Sequence, residues 1–212
     1  MKILMFAGPG CVGKTTQLEL MVKKCEEEGK KVAFHKSSTR KTYAAMSIKN
    51  ESEILINPVS NMKFQDRVFD DNAKDLLEAL NKAIEDKVDL FIADRSPFDY
   101  IAYYFTVFQT YLTIEKINLK RKAAWQVMRE IGELCPSTQI VPFIYPVSWS
   151  KDTESSDGWR ADKTGKNFIW GSVVTNEIEL FKSGHQEIPQ VSDAATFTNY
   201  LYQYVFPKEK QE

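Results

Sequence analysis

The sequence predicts an α/β fold in three layers: a central parallel sheet of five strands, helices on both faces, and a small lid. Two observations predict it. Short, almost uniformly apolar runs alternate along the chain with longer segments whose apolar residues recur at helical spacing. Alternation of this kind is the pattern of strands joined by covering helices. The strand-like runs are also too apolar to be half exposed, as expected of a parallel sheet buried on both faces.

Ile3-Leu4-Met5-Phe6-Ala7 reads as the first strand. Leu18, Met21, Val22 and Cys25 then fall at i, i+3, i+4 and i+7, one stripe of a helix. Gly29 opens a second strand over 31–35. Residues 40–62 carry no clear period and are assigned to no element. A helix over 70–86 presents Ala73, Leu76, Leu77, Leu80 and Ile84 on one face. The run Asp89-Leu90-Phe91-Ile92-Ala93-Asp94 is the third strand. Helices over 97–112 and 115–135 follow, the second striped by Ala124, Val127, Met128, Ile131 and Leu134. In the fourth strand, 139–145, Pro142 lacks a donor and points to a sheet edge or a strand end. Residues 148–166 form a polar excursion, and a helix over 167–182, a fifth strand over 187–191 and a helix over 194–206 close the fold. This makes 1–207 one domain, with 208–212 a disordered tail.

Bulk properties exclude several classes. With 212 residues, 43% hydrophobic and 27% charged, the chain has the composition of an ordinary globular protein large enough to bury a core. Lys+Arg 28 against Asp+Glu 29 gives a net charge of −1, so nothing draws the whole molecule to nucleic acid or to an anionic membrane. A nucleic-acid partner is therefore open but not favoured, a membrane partner is not expected, and a homodimer is permitted. Three cysteines without metal-type spacing read as reduced thiols of a cytoplasmic protein. The apolar start is too short for a signal peptide, and no run approaches a membrane span.

The chemistry begins at Gly8-Pro9-Gly10-Cys11-Val12-Gly13-Lys14-Thr15, which meets every fixed position of G-x-x-x-x-G-K-[ST]. It stands between a strand and a helix, where backbone N–H groups and the helix dipole form an anion site and Lys14 adds a full charge. Gly8, Gly10, Cys11, Val12, Gly13, Lys14, Thr15 and Thr16 are thus expected around the phosphates of ATP or GTP. The Thr15 hydroxyl is offered to a Mg2+ ion carried by the nucleotide. Asp94, ending the third strand after four apolar residues, is the acid expected to hold that metal. Arg95, next along the sheet edge, can clamp a phosphate with two bonds or brace the loop through an ion pair. Ser96 and Pro97 suit the start of a helix.

Asp94-Arg95-Ser96-Pro97-Phe98-Asp99-Tyr100-Ile101-Ala102-Tyr103 resembles the Asp-Arg-x…Ala-Tyr segment of thymidylate kinases, and the Asp/Glu-Arg-Ser segment of deoxynucleoside kinases. With the loop, Ser38-Thr39-Arg40 after the second strand and Phe64-Gln65-x-x-Val68, the likeness extends to a wider group of nucleoside and nucleotide kinase-like P-loop proteins. That group includes nicotinamide riboside kinase-like domains. The likeness follows element order end to end, and its motifs are specific mainly at the loop and Asp94-Arg95.

The resemblance implies the P-loop NTPase fold and an ATP- and Mg2+-dependent transfer of phosphate to a nucleoside or nucleotide acceptor. It places that acceptor between the second-strand edge and the helices around 64–67 and 99–104. Arg40, Gln65, Arg67, Asp99 and Tyr103 are then acceptor contacts, and Arg160 is the lid arginine that reaches the transferring phosphate. Lys14, Asp94, Arg95 and Arg160 make up the expected catalytic set. Two positions depart from the group. Thymidylate kinases carry an Asp inside the loop where Pro9-Gly10-Cys11-Val12 stand, and deoxynucleoside kinases place a Glu where Lys36-Ser37-Ser38-Thr39 stand. The activating base is thus not identified by motif, and Asp94 and Asp99 are the acids nearby. A modified base in DNA or nicotinamide riboside as acceptor, or a regulatory ATPase without acceptor, are the alternative readings.

Overall fold

The computed structural model describes residues 1–8, 13–48, 58–107, 112–142, 172–177, 179 and 193–207. The expected lid (148–166), the fifth strand (187–191), the tail and the loop residues Gly10, Cys11 and Val12 lie outside the described residues, as do Arg160 and the side chain of Arg40.

Among the described residues four parallel strands form the sheet, and the expected fifth lies outside them: β1 (Lys2–Ala7), β2 (Val32–Lys36), β3 (Leu90–Asp94) and β4 (Thr138–Pro142), in the order β2-β3-β1-β4. β1 is central, and Ile3 to Ala7 are at most 1% exposed, which accounts for its unbroken apolar run. Among the described residues β4 stands at one end of the sheet, and Pro142 is its last residue, a strand end as its missing donor suggests.

The alternation of β1 and β3 divides the core in two. Ile3, Met5, Ala7, Phe91 and Ala93 pack on one face against α3 (Pro58–Glu85), α4 (Phe98–Val107) and α5 (Ile114–Leu134). Leu4, Phe6, Leu90 and Ile92 pack on the other against α1 (Lys14–Glu27) and α6 (Ala194–Val205). The three expected layers are present. α2 (Thr39–Ala45) is a short helix laid on α3, with the Tyr43 and Phe64 rings stacked at 4.7 Å.

Two expectations about the helices need correction. α3 begins at Pro58, well before residue 70, and runs 28 residues. Its extra turns bury Phe64, Gln65 and Val68, so polar Gln65 interrupts the apolar signal there. Ile84 and Leu134, expected on core stripes, are exposed at the ends of α3 and α5, and Ala83 takes the core position in α3. On α5, Lys120 pairs with Asp66 and Arg121 with the buried Glu177 at 2.8 Å. No helix among the described residues is long and apolar enough to cross a membrane.

Helix ends show why some boundaries were readable. After α1 the N–H of Lys30 bonds the carbonyl of Cys25 and that of Gly29 bonds Glu26, with Gly29 at φ 67°. This left-handed stop suits glycine. The same pair of bonds ends α2 at Ser47 (φ 58°) and α3 at Lys87 (φ 51°), without a glycine to announce it.

Candidate active site

β1 sends its chain through α1 to β2 on one side, whereas β3 sends its chain through α4 and α5 to β4 on the other. The neighbouring carboxyl ends of β1 and β3 therefore face a topological switch point, where open parallel sheets leave a crevice for ligands. Gly8 leaves β1 there with φ 133°, and Gly13 caps α1 with φ 86°. Both values lie where a Cβ is disfavoured, so glycine is required by the turn itself. Lys14 is the first residue of α1 and is buried at 6% exposure, while Thr15 and Thr16 are exposed at the same helix end. Gln17, one turn on, is buried and donates to Thr198 on α6 at 2.7 Å, which fixes the helix start.

Asp99 and Arg95 tie this edge together. The Asp99 carboxylate accepts the Gly8 N–H at 2.7 Å through Oδ1. Its Oδ2 accepts the Ser96 N–H at 2.8 Å and the Ser96 hydroxyl at 2.9 Å. The bond to the Ser96 N–H is half of a capping box, with Asp99 reaching back to the start of α4. Arg95 Nη1 lies 3.5 Å from Asp99 Oδ1 and donates to the Gly8 carbonyl at 3.4 Å. Burial works against the Arg95 charge, but the fields of Asp99 and Asp94 prevail and hold its pKa above the ordinary value. Arg95 also has φ 114°, a conformation that costs a non-glycine residue about 1–3 kcal/mol and persists only when its surroundings enforce it.

Asp99, expected as an acceptor contact, stands as a buried brace (1% exposed) between the loop and α4. Arg95 makes the brace that its residue type allowed. Asp94 stands at the tip of β3, paired in register with Phe6 of β1 and Lys36 of β2, and is partly exposed. Lys14, Thr15, Asp94 and Arg95 therefore share one sheet edge.

The expected acceptor side is more dispersed. Gln65 and Tyr103 are buried among core residues of α3 and α4. Arg67 is exposed and lies 3.7 Å from Asp71 on its own helix. Asp71 also accepts the Thr42 hydroxyl at 3.0 Å, which ties α2 to α3.

Sequence reasoning missed Asn72. Its Oδ1 accepts the Ser38 N–H at 2.7 Å and the Ser37 hydroxyl at 3.0 Å, and its Nδ2 donates to Val68 O at 2.7 Å. This side chain fixes the turn from β2 into α2, the helix that carries Arg40. The available signal was an asparagine on the buried α3 stripe between Val68 and Leu76. Glu177 was also missed: its carboxylate takes Arg121 Nε and accepts Trp125 Nε1–H at 2.9 Å.

No family model matches the chain, and no curated protein does. Among solved structures the chain is similar to NadR protein in complex with NR, at 13% identity and TM-score 0.51, covering 96% of this chain and 51% of that one. It thus spans about half the length of that protein. It is also similar to the signal recognition particle receptor FtsY from Elizabethkingia anophelis, at 11% identity and TM-score 0.32, covering 95% of this chain and 65% of that one, an overlap too loose to define a fold. With its parallel, helix-covered sheet, the chain shares the α/β fold of the matched part of NadR.

Proposed function

We propose that this chain is a phosphotransferase that moves the γ-phosphate of ATP to a nucleoside or nucleoside monophosphate. The observation that carries the reading is the meeting, at one switch-point crevice, of the glycine turn and Lys14 from β1–α1 with Asp94-Arg95 from β3. Two left-handed glycines, a lysine on the first turn of a helix, an exposed threonine beside it and an acid at the next strand tip fit a nucleotide triphosphate with its metal. Lys14 and the α1 N-terminus would hold phosphates, and Thr15 and Asp94 would hold Mg2+. When bound, the ion neutralises charge on the transferring group. Arg95 would contribute a fixed positive charge at the same edge. Because Asp99 is committed to Gly8 and Ser96, the chain relies on positioning and charge more than on a strong base, which suits a loose phosphoryl-transfer transition state.

Steady ADP release that requires one (deoxy)nucleoside or nucleotide is the expected result of an acceptor screen with Mg-ATP. A screen without any stimulated release ends the reading. NadR is solved in complex with NR, which favours including nicotinamide riboside as the second acceptor class.

A further inference from the structure

His35 is the penultimate residue of β2, and its register partner Ala93 directly precedes Asp94. Its side chain lines a crevice with Phe69 and Asn72 of α3, Asp94 and Tyr100. The cavity is about 10 Å3, room for one water-sized group. His35 Nε2 is buried and has no hydrogen-bond partner among the described residues. Its neighbours are committed elsewhere. Asn72 spends its amide on Ser37, Ser38 and Val68, and the Arg95 guanidinium is directed at Gly8 and Asp99. Burial lowers the His35 pKa, against the opposing fields of Asp75 and Asp94, so the imidazole is neutral at pH 7. A buried polar atom of this kind calls for a partner. Asp94 and Arg95 both stand in the wall, so its lining carries charges of both signs. A hydroxyl matches the cavity in size, and can donate to the nitrogen or accept from it.

We propose that His35 is an acceptor-binding residue whose Nε2 holds one hydroxyl of the phosphoryl acceptor in the crevice between β2, α3 and the tip of β3. The inference rests on the phosphotransferase reading and adds the class of group that is gripped: an alcohol, such as a sugar hydroxyl.

The chain holds two histidines, so imidazole nitrogen spectra of the full protein resolve them, with His185→Gln giving the assignment. The protein, with Mg2+ and a non-hydrolysable ATP analogue, is titrated with nucleosides, nicotinamide riboside and 5′-monophosphates, and ADP release is measured with the same panel and Mg-ATP. The acceptor that is turned over shifts the His35 nitrogen signal and leaves that of His185 in place. His35→Phe raises the KM of that acceptor about tenfold, the share of one hydrogen bond, with the KM of ATP within about twofold. His35→Gln, which returns an amide near the Nε2 position, recovers part of the loss, and it serves alone if the Phe variant does not fold. A turned-over acceptor that leaves the His35 signal unmoved, or an unchanged acceptor KM in His35→Phe or in a Gln variant standing alone, overturns the proposal. If no panel member stimulates ADP release, the phosphotransferase reading falls separately. The spectra then decide: a His35 shift with any panel member supports hydroxyl binding, and silence across the panel refutes it.

Discussion

At the β1–β3 edge, Asp99 joins Gly8 to Ser96, and Arg95 joins Asp99 to the Gly8 carbonyl. At the β2–α3 edge, Asn72 holds the Ser37 hydroxyl and the Ser38 N–H, but His35 Nε2 beside it has no hydrogen-bond partner among the described residues, and Arg67 is exposed beside Asp71. The first edge is braced by charge and accepts backbone strain at Arg95. The second is held by neutral hydrogen bonds and ring stacking, with one buried imidazole nitrogen left over. A phosphate donor site must offer fixed dipoles in advance, because electrostatic stabilisation works by preorganisation. An acceptor site can leave polar groups to be satisfied by the molecule it selects.

The largest test of this contrast is at Lys14. Lys14→Ala should lower ADP release by about 10²–10³-fold, as for loss of one preorganised charge at a transferring phosphate. Normal turnover and normal binding of a fluorescent ATP analogue would remove the donor role from this edge. Next, Asp99→Ala should destabilise the fold by about 3–5 kcal/mol in urea, because the buried Gly8 and Ser96 N–H groups lose their acceptor and the part-buried Arg95 loses its ion-pair partner. Asp99→Asn, which keeps an acceptor oxygen, should lose less. A cost below about 1 kcal/mol would mean that the loop is braced by other means.

Asn72→Leu should cost about 1–3 kcal/mol, since a buried Ser38 N–H loses its acceptor while no charge is stranded. Equal losses at Asn72 and Asp99 would abolish the difference between the two edges. The acid side of stability tests the crevice. The folded His35 pKa lies below the ordinary value of about 6.5, so between the two the unfolded chain holds more protons. Stability should therefore fall as pH drops from about 6.5 through the folded value, and His35→Gln should flatten that slope in a series of melting curves. Smallest of all, Arg67→Ala should leave stability within about 0.5 kcal/mol, because its pair with Asp71 is exposed. A rise in acceptor KM in that variant would nevertheless make Arg67 part of the acceptor edge.

The donor edge was legible because its parts are local in sequence: a strand, a glycine loop and a helix start lie within one short segment, and Asp94-Arg95 end a uniformly apolar run. The brace was not, since the bond from Gly8 to Asp99 joins residues 91 apart and follows from the neighbouring positions of β1 and β3. The acceptor edge was less legible still. Its residues come from β2, α2 and α3, and the start of α3 was masked by Gln65 on the buried face. The ends of α2 and α3 turn at Ser47 and Lys87, residues whose identity gives no sign of a left-handed conformation. Nothing near His35 in sequence marks it as part of a crevice, because the residues around it come from α3 and the tip of β3.

The length of α3 has a consequence for how the chain can change. At 1.5 Å per residue its 28 residues span about 42 Å, and the carboxyl half is locked into the core by Leu76, Leu80 and Ala83. One residue inserted between Asn72 and Leu76 would leave that half in place and turn everything before it by about 100°. Asn72, Val68, Gln65 and Phe64 would all swing away from β2 and α2 together, while the glycine loop kept its shape. Point substitutions can adjust this wall one contact at a time, but a change of length resets its phase as a unit. The helix therefore tolerates drift in sequence far better than drift in register.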